Sequence, residues 1–279
     1  MNDMQKVILV ALLLVFALGC KSEKETHQSS KRLPGAWQAS PIVVDGKRND
    51  WPIPYPYDNT KAQITYAITN DKDNLYITIE TGDPATELKI LRRGLVVWVD
   101  KSATKTQKTS VCFPSDNEHG QLRVAPGRDL VKQIDEAMAS TNEFFLNGFK
   151  GCHGKFGLKD GDTCGISVGI GLDEYDQLIW EAVIPFKTFY PKAQIDSRDA
   201  GKPLDICFDI LGMERPEGMG GGGGAPRMGF GVGGGMGMGG MGMGMNTGMG
   251  GRRGGGGAVN EQLYKTTTFW QTVGIAYQQ

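Results

Sequence analysis

Few side chains in this chain carry chemistry, and each sits in a spacing that can be held against what its chemistry needs. Gly165-Ile166-Ser167-Val168-Gly169 fits G-x-S-x-G, the pattern of a serine nucleophile on a sharp turn between a strand and a helix. Such a serine needs a histidine later in the chain, and His27, His119 and His153 all precede it. Ile166, Val168 and Ile170 carry an alternation straight through the serine, so the match reads as a strand. His119 and His153 are isolated near glycines and no H-E-x-x-H occurs, so histidine offers no zinc site. Asp71, Asp73 and Asn74 resemble the opening of a calcium loop, without its glycine at the sixth position or its distal glutamate. A structural calcium stays open, with its ligands unnamed. No carboxylate pair, nucleophile with base, or cofactor cradle stands out, so the chain reads as a non-enzyme with no cofactor.

The softest donors lie near the C-terminus. From Gly218 to about Gly257 the chain is dominated by glycine, with methionine recurring as GMGMGGMGMGM. Thioethers suit Cu(I), and closely spaced methionines can supply several ligands; no cysteine or histidine accompanies them. The literal G-x-G-x-x-G at 237–242 follows no strand and opens no helix, so it gives no phosphate cradle. Little in this stretch can be buried against the backbone entropy of glycine, which predicts a disordered insertion.

Cys112, Cys152, Cys164 and Cys207 remain once Cys20 is set aside. Cys152 and Cys164 bracket GCHGKFGLKDGDTCG, and their local pairing is the first choice, contributing about 3 kcal/mol by loop closure. Cys112 and Cys207 each lie opposite the apolar face of a strand. A bridge between neighbouring strands and two buried thiols are both open.

The elements that must position these residues are mostly strands. Ile64–Thr69 and Leu75–Glu80 alternate around Asn70-Asp71-Lys72-Asp73-Asn74, which is turn chemistry, so they predict an antiparallel hairpin with one buried face. Gly94–Asp100 is apolar on both faces and predicts an interior strand covered on both sides. Thr109–Phe113, the hairpin of Gly165–Leu172 with Gln177–Ile184, Leu204–Ile210 and Phe269–Tyr277 complete the strand set. Ala85–Arg93 and the run LVKQIDEAMAS after Asp129 predict short helices, the second amphipathic. The fold class is all-β with minor α: an antiparallel, jelly-roll-like β-sandwich interrupted by the 218–257 insertion.

At 279 residues, 39% of them hydrophobic and with a formal charge of −1, the chain can bury one sizeable core and gives no reason to expect nucleic acid as a partner. Residues 1–19 are different in kind: MNDMQK, then the apolar VILVALLLVFALG, too short to span a bilayer. Ala17-Leu18-Gly19-Cys20 resembles a bacterial lipoprotein signal, although Ala17 stands where leucine is usual. The resemblance implies removal of the leader, lipidation of Cys20 and anchoring to a bilayer by several acyl chains. Lys21, where an aspartate would retain the protein, resembles forwarding to an outer membrane. Residues 20–40 are polar without period and predict a flexible tether.

Asp45-Gly46 with Asp50-Trp51, then YAITNDKDNLY, GLVVWVD and GISVGIGLDEYDQLIWEAVIPF, resemble the carbohydrate-binding family 9-like domains, relatives of the DOMON β-sandwiches. The likeness runs from about Ile42 to Tyr190, with a weaker echo at Pro203–Met213, inside a domain of 41–279. It implies a non-catalytic exported domain that binds carbohydrate or another cell-envelope component, facing the periplasm or the cell surface. Some relatives hold calcium, and sugar is thought to be clamped there between aromatic rings. Sugar CH groups pack on aromatic faces. The sequence offers Trp37, Trp51, Tyr55, Tyr57, Trp98, Trp180 and Trp270; Trp98 and Trp180 read as core, Trp51 as structural, and Tyr55 and Tyr57, among prolines, are the best loop candidates. Soft-metal binding through the Gly/Met stretch, and a structural lipoprotein docking another envelope protein, are the alternatives.

Overall fold

The computed structural model describes residues 32–115, 130–160, 163–214 and 261–278. The leader through residue 19, Cys20, His27, His119 and the 218–257 insertion lie outside the described residues. Eleven strands are described: β1 (Tyr57–Asn59), β2 (Ile64–Asn70), β3 (Asn74–Thr81), β4 (Leu95–Asp100), β5 (Ser110–Phe113), β6 (Glu143–Phe149), β7 (Cys152–Gly157), β8 (Ser167–Leu172), β9 (Leu178–Pro185), β10 (Pro203–Ile210) and β11 (Thr267–Gly274). They form a five-stranded sheet, β1-β2-β3-β9-β8, and a six-stranded sheet, β11-β10-β4-β5-β6-β7. Every pairing within both sheets is antiparallel.

Period two decides which side chains meet. Ile64, Tyr66 and Ile68 of β2 and Leu75, Ile77 and Ile79 of β3 point inward against Leu95, Val97 and Val99 of β4 and Ile206 and Phe208 of β10. The hairpin turn is held by Asp71, whose Oδ1 accepts from the Asp73 and Asn74 amides at 2.7 and 2.6 Å. Trp180 is fully buried between the sheets, and its indole N–H donates to the Phe113 carbonyl at 2.9 Å. One core side chain thereby ties β9 of one sheet to β5 of the other.

Three short α-helices lie among the described residues, α1 (Pro84–Arg93), α2 (Leu130–Met138) and α3 (Phe186–Phe189), with one 3-10 turn at Ser197–Asp199. Asp83 caps α1 by accepting from the Thr86 amide at 2.8 Å, and Pro84 fills the first turn, where its missing N–H costs nothing. Gly94, at φ +85°, ends it. Helix α1 buries Leu88, Ile90 and Leu91 and packs against α2.

Two expectations need correction. The polar stretch read as a tether through residue 40 is docked from Leu33 onward. The Leu33 amide donates to Thr272 of β11, the Asn70 amide of β2 to Ala36, and the Gln38 amide to Asn70, all at 2.9–3.0 Å. Trp37 packs edge-on against Tyr277. These few bridges close the seam between the two sheets and leave no periodic trace in the sequence. Strand β4 is central in its sheet, but only one of its faces is sealed. Leu95, Val97 and Val99 are buried, whereas Val96 and Trp98 are half-exposed on the outer side.

Candidate functional site

A sandwich has two outer faces, and here they differ. That of the five-stranded sheet is closed by residues 42–55. Ile42 and Trp51 bury themselves on Ala67 and Tyr76, with Tyr55 and Val183 alongside. The strap lies close because Gly46, at φ +73°, meets the bare backbone of Gly171; a Cβ on Gly171 would stand 2.5 Å from the Gly46 carbonyl oxygen. Glu181, fully buried on β9, receives the Gly46 and Asp45 amides at 2.7 and 3.0 Å and the Trp51 indole N–H. Burial pushes its carboxyl up, and these three donors pull it back. Arg48 completes the strap by pairing with Asp173 and with Glu80. The DGxxxDW motif and the glutamate of WEAVIPF are thus two halves of one framework joint.

The outer face of the six-stranded sheet carries a different set. Register places Asn147, Ser110, Trp98, Cys207 and Trp270 in one row across β6, β5, β4, β10 and β11. A neighbouring row holds Phe145, Cys112, Val96, Asp209 and Thr268. On the other side, Asp100 and Asp205 stand beside Thr272. Trp37 and Trp180 belong to the main core and Trp51 to the strap cluster; Trp98 and Trp270, both half-exposed, belong to neither.

Cys207 is fully buried between the two tryptophans and forms the floor of the row. Gln107 donates to its sulfur at 3.8 Å. Burial, with Asp209 nearby, pushes its thiol up to about 12, so it stays a neutral thiol and is no nucleophile. The indole N–H of Trp98 is buried and has no hydrogen-bond partner among the described residues. Polar side chains flank the indoles: Thr268 donates to Asp209 at 2.6 Å and Thr272 to Asp205 at 2.5 Å. The face joins two π surfaces, an unmet donor and carboxylate–hydroxyl pairs.

The other sequence candidates fall elsewhere. Tyr55 packs on the strap cluster, and burial pushes its hydroxyl up to about 12. Tyr57 sits in β1 with its ring 5.6 Å from Tyr66, packed against the main core. Both are half-exposed, as Trp98 and Trp270 are, but unlike them pack against an apolar cluster: prolines signal loop, and this stretch is laid onto a sheet. Cys152 and Cys164 are bonded, with Cα atoms 6.1 Å apart. Cys112 and Cys207 keep their thiols, since β4 runs between their strands, so a bridge between them is excluded. Ser167 is exposed on the edge strand β8. His153 packs edge-on to Phe145. The second oxygen of Asp71 accepts from the Tyr76 hydroxyl at 2.5 Å, so the carboxylate that opens the calcium-like loop is filled by protein donors. Among the described residues no group of three or more His, Cys, Asp or Glu is placed to hold a metal ion.

No protein-family model matches this sequence, and no curated protein matches it by sequence. Among solved structures, a carbohydrate binding module of family 9 from Caldicellulosiruptor kristjanssonii in complex with glucose is similar at 15% identity. The match covers 65% of this chain and 78% of that one, with a TM-score of 0.33. A family 9 module from the same organism in complex with cellotriose is similar at 15% identity over 65% and 76%, with a TM-score of 0.31.

Proposed function

We propose that this protein is a non-catalytic domain that binds carbohydrate on the open face of its six-stranded sheet, with Trp98 and Trp270 as the stacking platforms. The single observation that carries this reading is that these two tryptophans, alone of the five, are left out of both apolar clusters and share one row of an outer face. They rise from strands on either side of β10, about 10 Å apart at the backbone, two strand spacings. Sugar CH groups pack on indole faces, while the exposed Asp209–Thr268 pair can exchange hydrogen bonds with hydroxyls. The framework motifs quoted above support the same ligand class. The leader of residues 1–19 and Cys20 support export and a lipid anchor in an outer membrane, which would hold the face close to envelope glycans.

Calorimetry of the soluble domain against a panel of neutral and acidic oligosaccharides tests the reading, with tryptophan fluorescence as a second readout. Binding accompanied by a change in indole emission is expected. A silent panel, or binding unchanged in Trp98→Ala, would refute it.

A further inference from the structure

We infer that a cavity at the end of β4 is an oxyanion site that takes the carboxylate or sulfate of an acidic sugar. The cavity measures about 480 Å³ and is lined by Lys101, Lys108 and Lys150 with Thr106, Thr109 and Thr188. Asp100 is the one carboxylate in its described wall, its oxygens are filled by neutral donors, and its charge offsets one of the three lysines. One oxygen accepts from the Ser102 amide at 2.8 Å and the other from the Thr104 and Thr106 amides at 2.9 Å. Burial opposes ionisation of Asp100, yet these bonds hold its carboxyl well below the usual range. No ion pair is formed by any of the three lysines among the described residues.

The walls are fixed by backbone. The Asp100 carboxylate fastens the 102–106 loop between Lys101 and Lys108. Gly148 sits in a bulge of β6 at φ +72°, so close to Lys108 that a Cβ would come 2.0 Å from its carbonyl oxygen. The Thr109 hydroxyl donates to the Gly148 carbonyl at 3.3 Å. The Lys150 amide donates to Thr188 at 2.7 Å and its ammonium to the Tyr190 carbonyl, a neutral acceptor that leaves the positive charge uncompensated. The Thr109 and Thr188 hydroxyls already donate to the Gly148 and Pro185 carbonyls, so the oxyanion donors around this space are the lysine ammonium groups, with the Thr106 hydroxyl beside them, acting through charge-assisted hydrogen bonds. The near-zero net charge of the whole chain conceals this local excess. Asp100 follows Trp98 by two residues on β4, so the cavity adjoins the stacking row. Sugar as the carrier of the anion rests on the reading of that row; the oxyanion chemistry does not.

The test uses inorganic sulfate, an acidic oligogalacturonate and a neutral cello-oligosaccharide, against wild type, Trp98→Ala and Lys101→Gln/Lys108→Gln. Both lysines are exposed, and the melting temperature of the double variant is measured alongside. Sulfate should shift the backbone NMR signals of Lys101 and Thr188 in wild type but not in the double variant. The double variant should also weaken the acidic oligosaccharide about tenfold, with a shallower salt dependence, and leave the neutral one unchanged. Trp98→Ala should weaken both oligosaccharides and spare sulfate. No sulfate response in wild type, or an equal one in the double variant, overturns the site. Sulfate bound through the lysines with no oligosaccharide bound overturns the acidic-sugar assignment and the stacking row together.

Discussion

Glu181 and Trp51, 130 residues apart in the chain, meet through a 2.5 Å bond from the indole N–H to the carboxylate, on a face from which solvent is excluded. The same carboxylate holds two backbone amides, so its removal strands three donors at once. Glu181→Ala is expected to destabilise the fold by about 3 kcal/mol or more, read from urea unfolding. Glu181→Gln keeps one acceptor oxygen and should cost less. Equal, small losses in both variants would show that the strap is not anchored there.

Gly171→Ala drives a methyl group into the Gly46 carbonyl, backbone against backbone, where no rotamer can yield. A loss of about 1–3 kcal/mol is expected from overpacking, seen as a lower melting temperature. Alanine at Gly82, whose nearest neighbour is the flexible Gln177 side chain, is the control and should be nearly silent.

Trp270→Ala should lower affinity for a bound oligosaccharide about tenfold. Because Trp270 packs into neither apolar cluster, its unfolding free energy should stay within about 1 kcal/mol of wild type. A large loss of stability without a change in affinity would return Trp270 to the framework.

Glu87, buried on helix α1, is pushed up to about 7, chiefly by burial, while a hydrogen bond from the Leu178 backbone pulls the other way. A carboxyl raised on folding gives stability that is fully present below its ordinary value of 4.5 and lost as pH rises through about 7. Asp100, held low, acts in the opposite sense: its contribution is present above its ordinary value of 3.8 and is lost as pH falls further. Melting temperature against pH should therefore fall on both sides of a mildly acidic maximum. Glu87→Gln should flatten the decline between 4.5 and 7; an unchanged slope there would acquit Glu87.

The sequence was most legible where one face of a strand is oily and the other is not. Ile64 to Glu80 declares its hairpin through strict alternation around an Asx-rich turn, and Asp83-Pro84 with Gly94 marks both ends of α1. Trp98 was misjudged for a physical reason. Alternation separates the two faces of a strand but does not say which are covered, and Val96-Trp98 opposite Leu95-Val97-Val99 looks sealed on both. Tyr55 and Tyr57 show the reverse: their prolines disclose a loop and not the sheet beneath it. Trp270 is one of the seven aromatic candidates that the sequence offers, and its place beside Cys207 depends on strand order, which one strand's pattern cannot reveal. The lysine cavity brings together positions from 101 to 188 that no local spacing links.

The row from Asn147 to Trp270 offers five successive positions on five different strands, each pointing away from the interior. Since the Glu181 joint that fastens the strap lies on the opposite face, the half-exposed members of that row form an editable panel. A library randomised at Asn147, Trp98 and Trp270 would sample new recognition surfaces on an unchanged chassis.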